Sequence, residues 1–312
     1  MPRLDGFVDF DPEKEVPSLD GKVLFITGGT AGLGRESVVL LAQHDPSHIY
    51  FTGRDVKAAE SLIAEVKEKK PAVGLTFVAL DMTSLASVKA AVAAGFSHDR
   101  LDLLMCNAGV MALPAGLSKD GFEIQFAINH LAHAMMIQQL LPVLDRTAEQ
   151  PDSDVRVVCL TSTGWRGHPR QGIEFDKVRT TQEGLAGSWV RYGQSKLANV
   201  IYASELARRH PRILSVSLHP GVIKTGLVSS LPVAKRKFVE WSIKVTGDAF
   251  TSPEKGAYNQ IWAATYKRSD MSNGSFYMPI GVLSDKMFDK AAKSEELAKK
   301  LWEWTDEVLA EY

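Results

Sequence analysis

The run Lys22-Val-Leu-Phe-Ile-Thr27 is apolar without alternation and ends on glycines, the pattern of a strand buried on both faces. After that turn, residues 36–43 space their apolar positions as a helix does. The alternation then repeats, with strands at 48–52, 75–80 and 101–105 and helices at 56–70 and 84–94. A long helical stretch at 121–144, a strand at 155–160, a helix at 190–210 and a strand at 213–218 follow. Alternating β and α units predict an α/β fold, a doubly wound parallel sheet of Rossmann-like type.

No internal repeat, low-complexity segment or Pro/Gly/Ser-rich linker interrupts the chain, so residues 21–312 are expected to form one domain behind an N-terminal extension at 1–20. Residues 226–250 depart from the alternation, setting Lys235, Arg236, Lys237 and Lys244 among Phe238, Trp241, Ile243 and Val245. They read as a substrate flap or, alternatively, a segment lying on a membrane surface. Near the C-terminus Leu297, Leu301, Trp304 and Val308 form a helical stripe, expected to face the core, with a homodimer contact as the second reading.

Charge and composition narrow the class. Thirty-six basic against 37 acidic residues leave a net charge of −1, which excludes a dedicated nucleic-acid binder, and 45% hydrophobic content suits a large core. Cys106 and Cys159 are the only cysteines, so no disulfide framework or cysteine-rich zinc site is expected, and a reducing, cytoplasmic setting is. The acidic first twenty residues do not read as a secretion signal, and no apolar run approaches the roughly 18 residues of a membrane span. His130 and His133 lack companions at ligand spacing, so packing or capping is expected of them and no metal.

Candidate chemistry begins at Thr27-Gly28-Gly29-Thr30-Ala31-Gly32-Leu33-Gly34, where strand meets helix. Glycines there let a pyrophosphate approach the backbone at a helix N-terminus, whose free N–H groups and dipole favour anions; a plain tight turn is the alternative. A site for NAD usually ends its second strand on a carboxylate that binds the ribose hydroxyl. Here the second strand runs into Gly53-Arg54, and Arg54 can pair with a 2′-phosphate, with Arg35 as a second cation. NADP(H) is therefore the expected cofactor, against which stand Asp55 as a competitor and the reading of Arg54 as a solvated loop charge.

Tyr192 and Lys196, four apart in a predicted helix, share one face. A lysine cation beside a phenol stabilises its anion and fits it to exchange a proton with a carbonyl or alcohol. The same pair is also common on ordinary amphipathic helices.

With these residues, the chain resembles a classical short-chain dehydrogenase/reductase. The resemblance rests on the Thr27–Gly34 turn, Asp81, Asn107-Ala108-Gly109, Asn129, Ser162, Tyr192-x-x-x-Lys196 and Pro220-Gly221 with Thr225, in that order. Cys106-Asn-Ala-Gly-Val110, Ile128-Asn-His-Leu-Ala-His133 and Ser252-Pro-Glu-Lys-Gly-Ala257 are similar to its retinol-dehydrogenase-like and WW-domain-oxidoreductase-like branch. The resemblance implies a catalytic set of Asn129, Ser162, Tyr192 and Lys196: Tyr192 as general acid or base, Lys196 lowering its pKa and binding the nicotinamide ribose, Ser162 holding the substrate oxygen, and Asn129 holding a water. It also implies cofactor contacts from Gly28, Thr30, Ala31, Gly32, Leu33, Gly34 and Arg35, from Asp81 and Met82 at the adenine, from Asn107, Ala108 and Gly109 in the groove, and from Pro220, Gly221, Val222 and Thr225 at the nicotinamide amide.

Three features depart from the family pattern. Thr161 or Thr163 is an alternative source of the Ser162 hydroxyl, and Cys106 stands where asparagine is frequent, reading as a packed thiol. Thirty positions separate Ser162 from Tyr192, and the extra residues at 164–189, with Trp165, His168, Phe175 and Trp189, are expected at the substrate mouth. The expected function is NADPH-dependent reduction of a ketone or aldehyde, of apolar or aromatic type, or the reverse oxidation. The rivals are a regulatory dinucleotide-binding protein with little turnover and a reductase of activated C=C bonds.

Overall fold

A computed structural model describes residues 6–183, 187–221, 223 and 252–312. The expected flap at 226–250, with Val222 and Thr225, lies outside the described residues.

The chain alternates as its hydrophobic pattern requires. A short helix α1 (Pro12–Glu15) precedes β1 (Val23–Ile26), α2 (Gly32–Ala42), β2 (His48–Gly53), α3 (Val56–Lys69), β3 (Gly74–Ala79), α4 (Leu85–Gly95) and β4 (Leu103–Cys106). Then come α5 (Ile124–Phe126), a π turn (Ala127–Leu131) and α6 (Ala132–Ala148), followed by β5 (Arg156–Leu160), α7 (Ser188–Arg209) and β6 (Leu214–Leu218). The C-terminal part adds α8 (Pro253–Thr265), β7 (Phe276–Met278), β8 (Val282–Leu283) and α9 (Glu295–Leu309).

One sheet runs in the order β3-β2-β1-β4-β5-β6-β7-β8, parallel throughout except for β8, which returns antiparallel beside β7. The fold is thus the doubly wound α/β type. The strand order reverses between β1 and β4, and ligands of such sheets bind in the crevice at that switch point, beyond the carboxyl ends of the strands.

Both faces are covered, which is why the strands lack alternation. Val23 and Phe25 of β1 pack into the core shared with α4, α6, α7 and α9, whereas Leu24 and Ile26 face α2, α3 and α8. Residues 6–20 also join the second core: Phe10, Val16 and Leu19 are buried in it, and Val8 donates its N–H to Ile280 O at 3.0 Å.

Two boundaries differ from the sequence reading for physical reasons. The helix expected from 36 starts at Gly32, because the last glycines of the turn are already helical. The stretch expected from 121 is helical from Ile124 and widens into the π turn at Ala127–Leu131, which contains Asn129. Such widened turns are frequent at functional sites.

Candidate active site

The glycine turn closes tightly on its neighbours. Gly28 has φ of 68°, and a Cβ there would stand 3.1 Å from Ala108 Cα. A Cβ on Gly34 would lie 2.2 Å from the Gly28 carbonyl oxygen, so any side chain at that position breaks the turn. Thr30 packs against Gly53 at the end of β2, and Gly29 N–H donates to Thr52 O at 2.8 Å, which joins turn and second strand.

Helices α3, α4, α8 and α9 are each capped by a side chain, from Asp55, Ser84, Ser252 and Ser294. In contrast, α2 has Ala31 at its N-cap and no side-chain capping bond. Its first N–H groups and the positive end of its dipole therefore point to the crevice without a protein acceptor from the cap, as a pyrophosphate site needs. This uncapped start and the glycine cradle fit a dinucleotide.

Beyond β4, Asn107 fastens the groove to the turn: its side-chain amide donates to Thr27 O at 2.7 Å, and the Asn107 and Ala108 N–H groups donate to Thr27 Oγ1 at 2.8 and 2.9 Å. Gly109 packs closely against the reacting groups, since a Cβ there would meet Asn129 Oδ1 at 3.1 Å and Lys196 Nζ at 3.5 Å.

Helix α7 carries Tyr192 and Lys196, both buried. Burial pushes the Tyr192 phenol up to about 12, opposed by a hydrogen bond with the Ser162 hydroxyl. Burial pulls the Lys196 ammonium down to about 8, with the Cys159 side chain opposing. Lys196 Nζ donates to Leu160 O at 3.0 Å and stands 5.9 Å from the centre of the Tyr192 ring. Asn129 braces the opposite wall: Oδ1 accepts from Val110 N–H at 2.8 Å, and Nδ2 donates to Val110 O and to Ser195 Oγ, each at 2.9 Å.

Of the three hydroxyls after β5, Ser162 is the one bonded to Tyr192. Thr161 is buried and spends its hydroxyl on Lys196 O at 2.7 Å, which ties α7 to the strand end. Gly164 lies against the Tyr192 ring so closely that a Cβ would stand 2.7 Å from Cε1.

The cations expected to hold a 2′-phosphate are placed differently from one another. Arg54 is exposed at the end of β2. Arg35 pairs with Glu65 on α3 and, at 3.0 Å, with Glu36. Asp81, past β3, is also engaged: Oδ2 pairs with Lys119 at 2.9 Å and Oδ1 accepts from Thr83 N–H at 2.9 Å, and Lys119 above all holds the carboxyl down at about 2. Met82 packs against the first core. Pro220 and Gly221 follow β6, where Asn259 Nδ2 on α8 donates to His219 O at 2.7 Å and fixes the approach.

The aromatics expected at the mouth divide. Trp165 is buried against Phe288, and Phe175 packs on Trp304 of α9, so both belong to the core; Trp189 is half-buried and meets Tyr192 edge-on at 6.3 Å.

The sequence assigns no role to Ser195, Asn199 or Gln260. Asn199 Nδ2 shares the Leu160 carbonyl with Lys196 at 3.1 Å, and Gln260 Nε2 reaches from α8 to Ser37 Oγ at 2.5 Å and Asn107 Oδ1 at 3.4 Å. Polar residues inside an apolar helix were the available signal. Among the described residues no three His, Cys, Asp or Glu side chains are grouped to hold a metal ion, and no helix is long and apolar enough to cross a membrane.

Residues 22–164 match the family model for short chain dehydrogenases. A short-chain dehydrogenase/reductase of Aspergillus calidoustus is 35% identical over 94% of this chain and 95% of its own length. Two solved structures share the fold. One, an uncharacterized protein from Mycobacterium paratuberculosis, is 24% identical with a TM-score of 0.72 over 97% of this chain and 98% of its own. The other, a 3-ketoacyl-(acyl-carrier-protein) reductase from Brucella melitensis complexed with NADH, is 21% identical with a TM-score of 0.64 over 85% and 98%. A relative this similar along nearly the whole of both chains, joined to the glycine turn at the sheet's switch point, makes the protein a member of the short-chain dehydrogenase/reductase family, oxidoreductases that use NAD(P)(H).

Proposed function

We propose that this protein reduces a ketone or aldehyde with NADPH, or oxidises the corresponding alcohol in reverse, with Tyr192 as the proton-transfer group. The observation that carries the reading is the convergence of Tyr192, Ser162, Lys196 and Asn129, the last two within 3.1–3.5 Å of where a Cβ on Gly109 would stand. The nicotinamide, when bound, supplies or accepts the hydride. Ser162 binds the carbonyl oxygen, and Tyr192 gives that oxygen its proton as negative charge develops there. A phenol held at about 12 is neutral at physiological pH, which suits it to act as the acid of the reductive direction. Lys196 binds the nicotinamide ribose and, as a cation, stabilises the tyrosinate left behind.

NADPH is favoured over NADH because β2 ends on Gly53 and exposed Arg54 with no carboxylate at that place, and the planar guanidinium can pair with a 2′-phosphate. Half-buried Trp189 beside Tyr192 supports an apolar or aromatic substrate. The two buried free cysteines suit the cytoplasm.

The test is consumption of NADPH across a panel of aromatic and aliphatic ketones and aldehydes. Tyr192→Phe should lower kcat by about 10²- to 10⁴-fold, the usual worth of a general acid, with NADPH binding within a few-fold of wild type. Retention of more than a few per cent of turnover by folded Tyr192→Phe refutes the assignment. Equal affinity of the wild type for NADPH and NADH, unchanged in Arg54→Asp, refutes the cofactor preference.

A further inference from the structure

We infer that His133 is a positioning residue that locks the glycine turn to the π turn bearing Asn129, and so sets the groove in which the dinucleotide lies. The inference rests on the dinucleotide-binding reading of the site. Thr27 Oγ1 accepts the Asn107 and Ala108 N–H groups, so its own proton needs an acceptor. His133 Nε2 lies 2.9 Å from that oxygen, whereas the Met105 carbonyl is at 3.4 Å. The other ring nitrogen, Nδ1, lies 2.9 Å from Asn129 O, which can only accept. The proton therefore sits on Nδ1, Nε2 presents a lone pair, and the Thr27 hydroxyl donates to it.

From there the path continues. The side chain of Asn129 donates to Ser195 Oγ at 2.9 Å, and Ser195 Oγ donates to the Tyr192 carbonyl at 2.8 Å. Hydrogen bonds thus connect the turn after β1, the strand end after β4, the π turn and the catalytic helix. His133 is 4% exposed, and burial, opposed by its bond to Asn129 O, draws its pKa down to about 4, so the neutral tautomer holds at physiological pH.

A neighbour provides the internal control. His130 is equally buried but points the other way, with Nε2 3.1 Å from Thr305 Oγ1 on α9, and touches neither the glycine turn nor the groove. A histidine that merely fills the core should behave like His130.

The test is a double-mutant cycle on the full chain, reading the dissociation constants of NADPH and NADH by nucleotide fluorescence and Tm without nucleotide. Loss of one net hydrogen bond of about 0.5–1.5 kcal/mol corresponds to a rise of roughly 2- to 12-fold in Kd for His133→Leu. On a Thr27→Val background the same substitution should add less than about twofold, because the bond is already gone. His130→Leu should lower Tm while leaving Kd within about twofold, and His133→Gln, which keeps one donor and one acceptor, should restore most of the affinity. Should His133→Leu not fold, His133→Phe, which keeps a ring and removes both nitrogens, takes its place in the cycle. Independent, multiplying effects of the two substitutions, or a His133→Leu that lowers Tm without moving either Kd, overturn the inference alone. A wild type that binds neither nucleotide overturns both it and the proposed function.

Discussion

Lys196→Met should make the protein more stable while abolishing its turnover. The side chain is buried, and the fall from an ordinary 10.5 to about 8 measures the cost of keeping it charged. At about 1.4 kcal/mol per pH unit that cost is roughly 3 kcal/mol at pH 7. Methionine has similar length and no charge to bury. What is lost is the bond to Leu160 O, about 1 kcal/mol net, and the carbonyl is not orphaned because Asn199 Nδ2 still donates to it. The net gain is about 1–2 kcal/mol, or about 2–5 °C in Tm. The sign with pH is fixed by linkage. A lysine whose folded pKa lies below its unfolded one binds fewer protons when folded, so wild-type stability rises between about pH 8 and 10.5. The advantage of the variant should therefore shrink, its electrostatic part falling under about 1 kcal/mol at pH 10. Urea unfolding of both proteins without nucleotide at pH 7 and 10 measures this. A variant less stable than wild type at pH 7, or an advantage that does not fall with pH, refutes the reasoning.

Gly164→Ala places a methyl 2.7 Å from Tyr192 Cε1, so the ring must shift away from Ser162; turnover should fall at least about tenfold for an overpacking cost of about 1–3 kcal/mol, read by paired kinetics and denaturation. Glu65→Gln releases Arg35 from a carboxylate competitor and should tighten NADPH about twofold to fivefold with NADH unchanged; calorimetric titration showing equal changes for both nucleotides would count against a phosphate role for Arg35. Burial holds His130 at about 3, and His133 and His219 at about 4, so each resists protonation in the folded state. With His48, likewise held at about 4 by burial, stability should fall as pH drops from 6.5 towards 4, with roughly three to four protons taken up by these histidines on unfolding near pH 5; a flat profile over that range would contradict the neutral assignments.

The strands and helices around the switch point were legible because burial on two faces leaves a continuous apolar run such as Val23–Ile26, and because glycine spacing at Thr27–Gly34 and the Tyr192/Lys196 separation are local properties. β7 escaped notice because three residues carry no periodicity. Only the tertiary structure decided matters that depend on partners distant in the chain. It turned Arg35 onto Glu65, thirty residues away, and packed Trp165 and Phe175 against C-terminal residues. It also brought His133 to Thr27 across 106 positions. The pKa values of Tyr192 and Lys196 belong to the same class, since desolvation depends on how completely the fold excludes water, and the spacing of two residues on a helix carries no information about that.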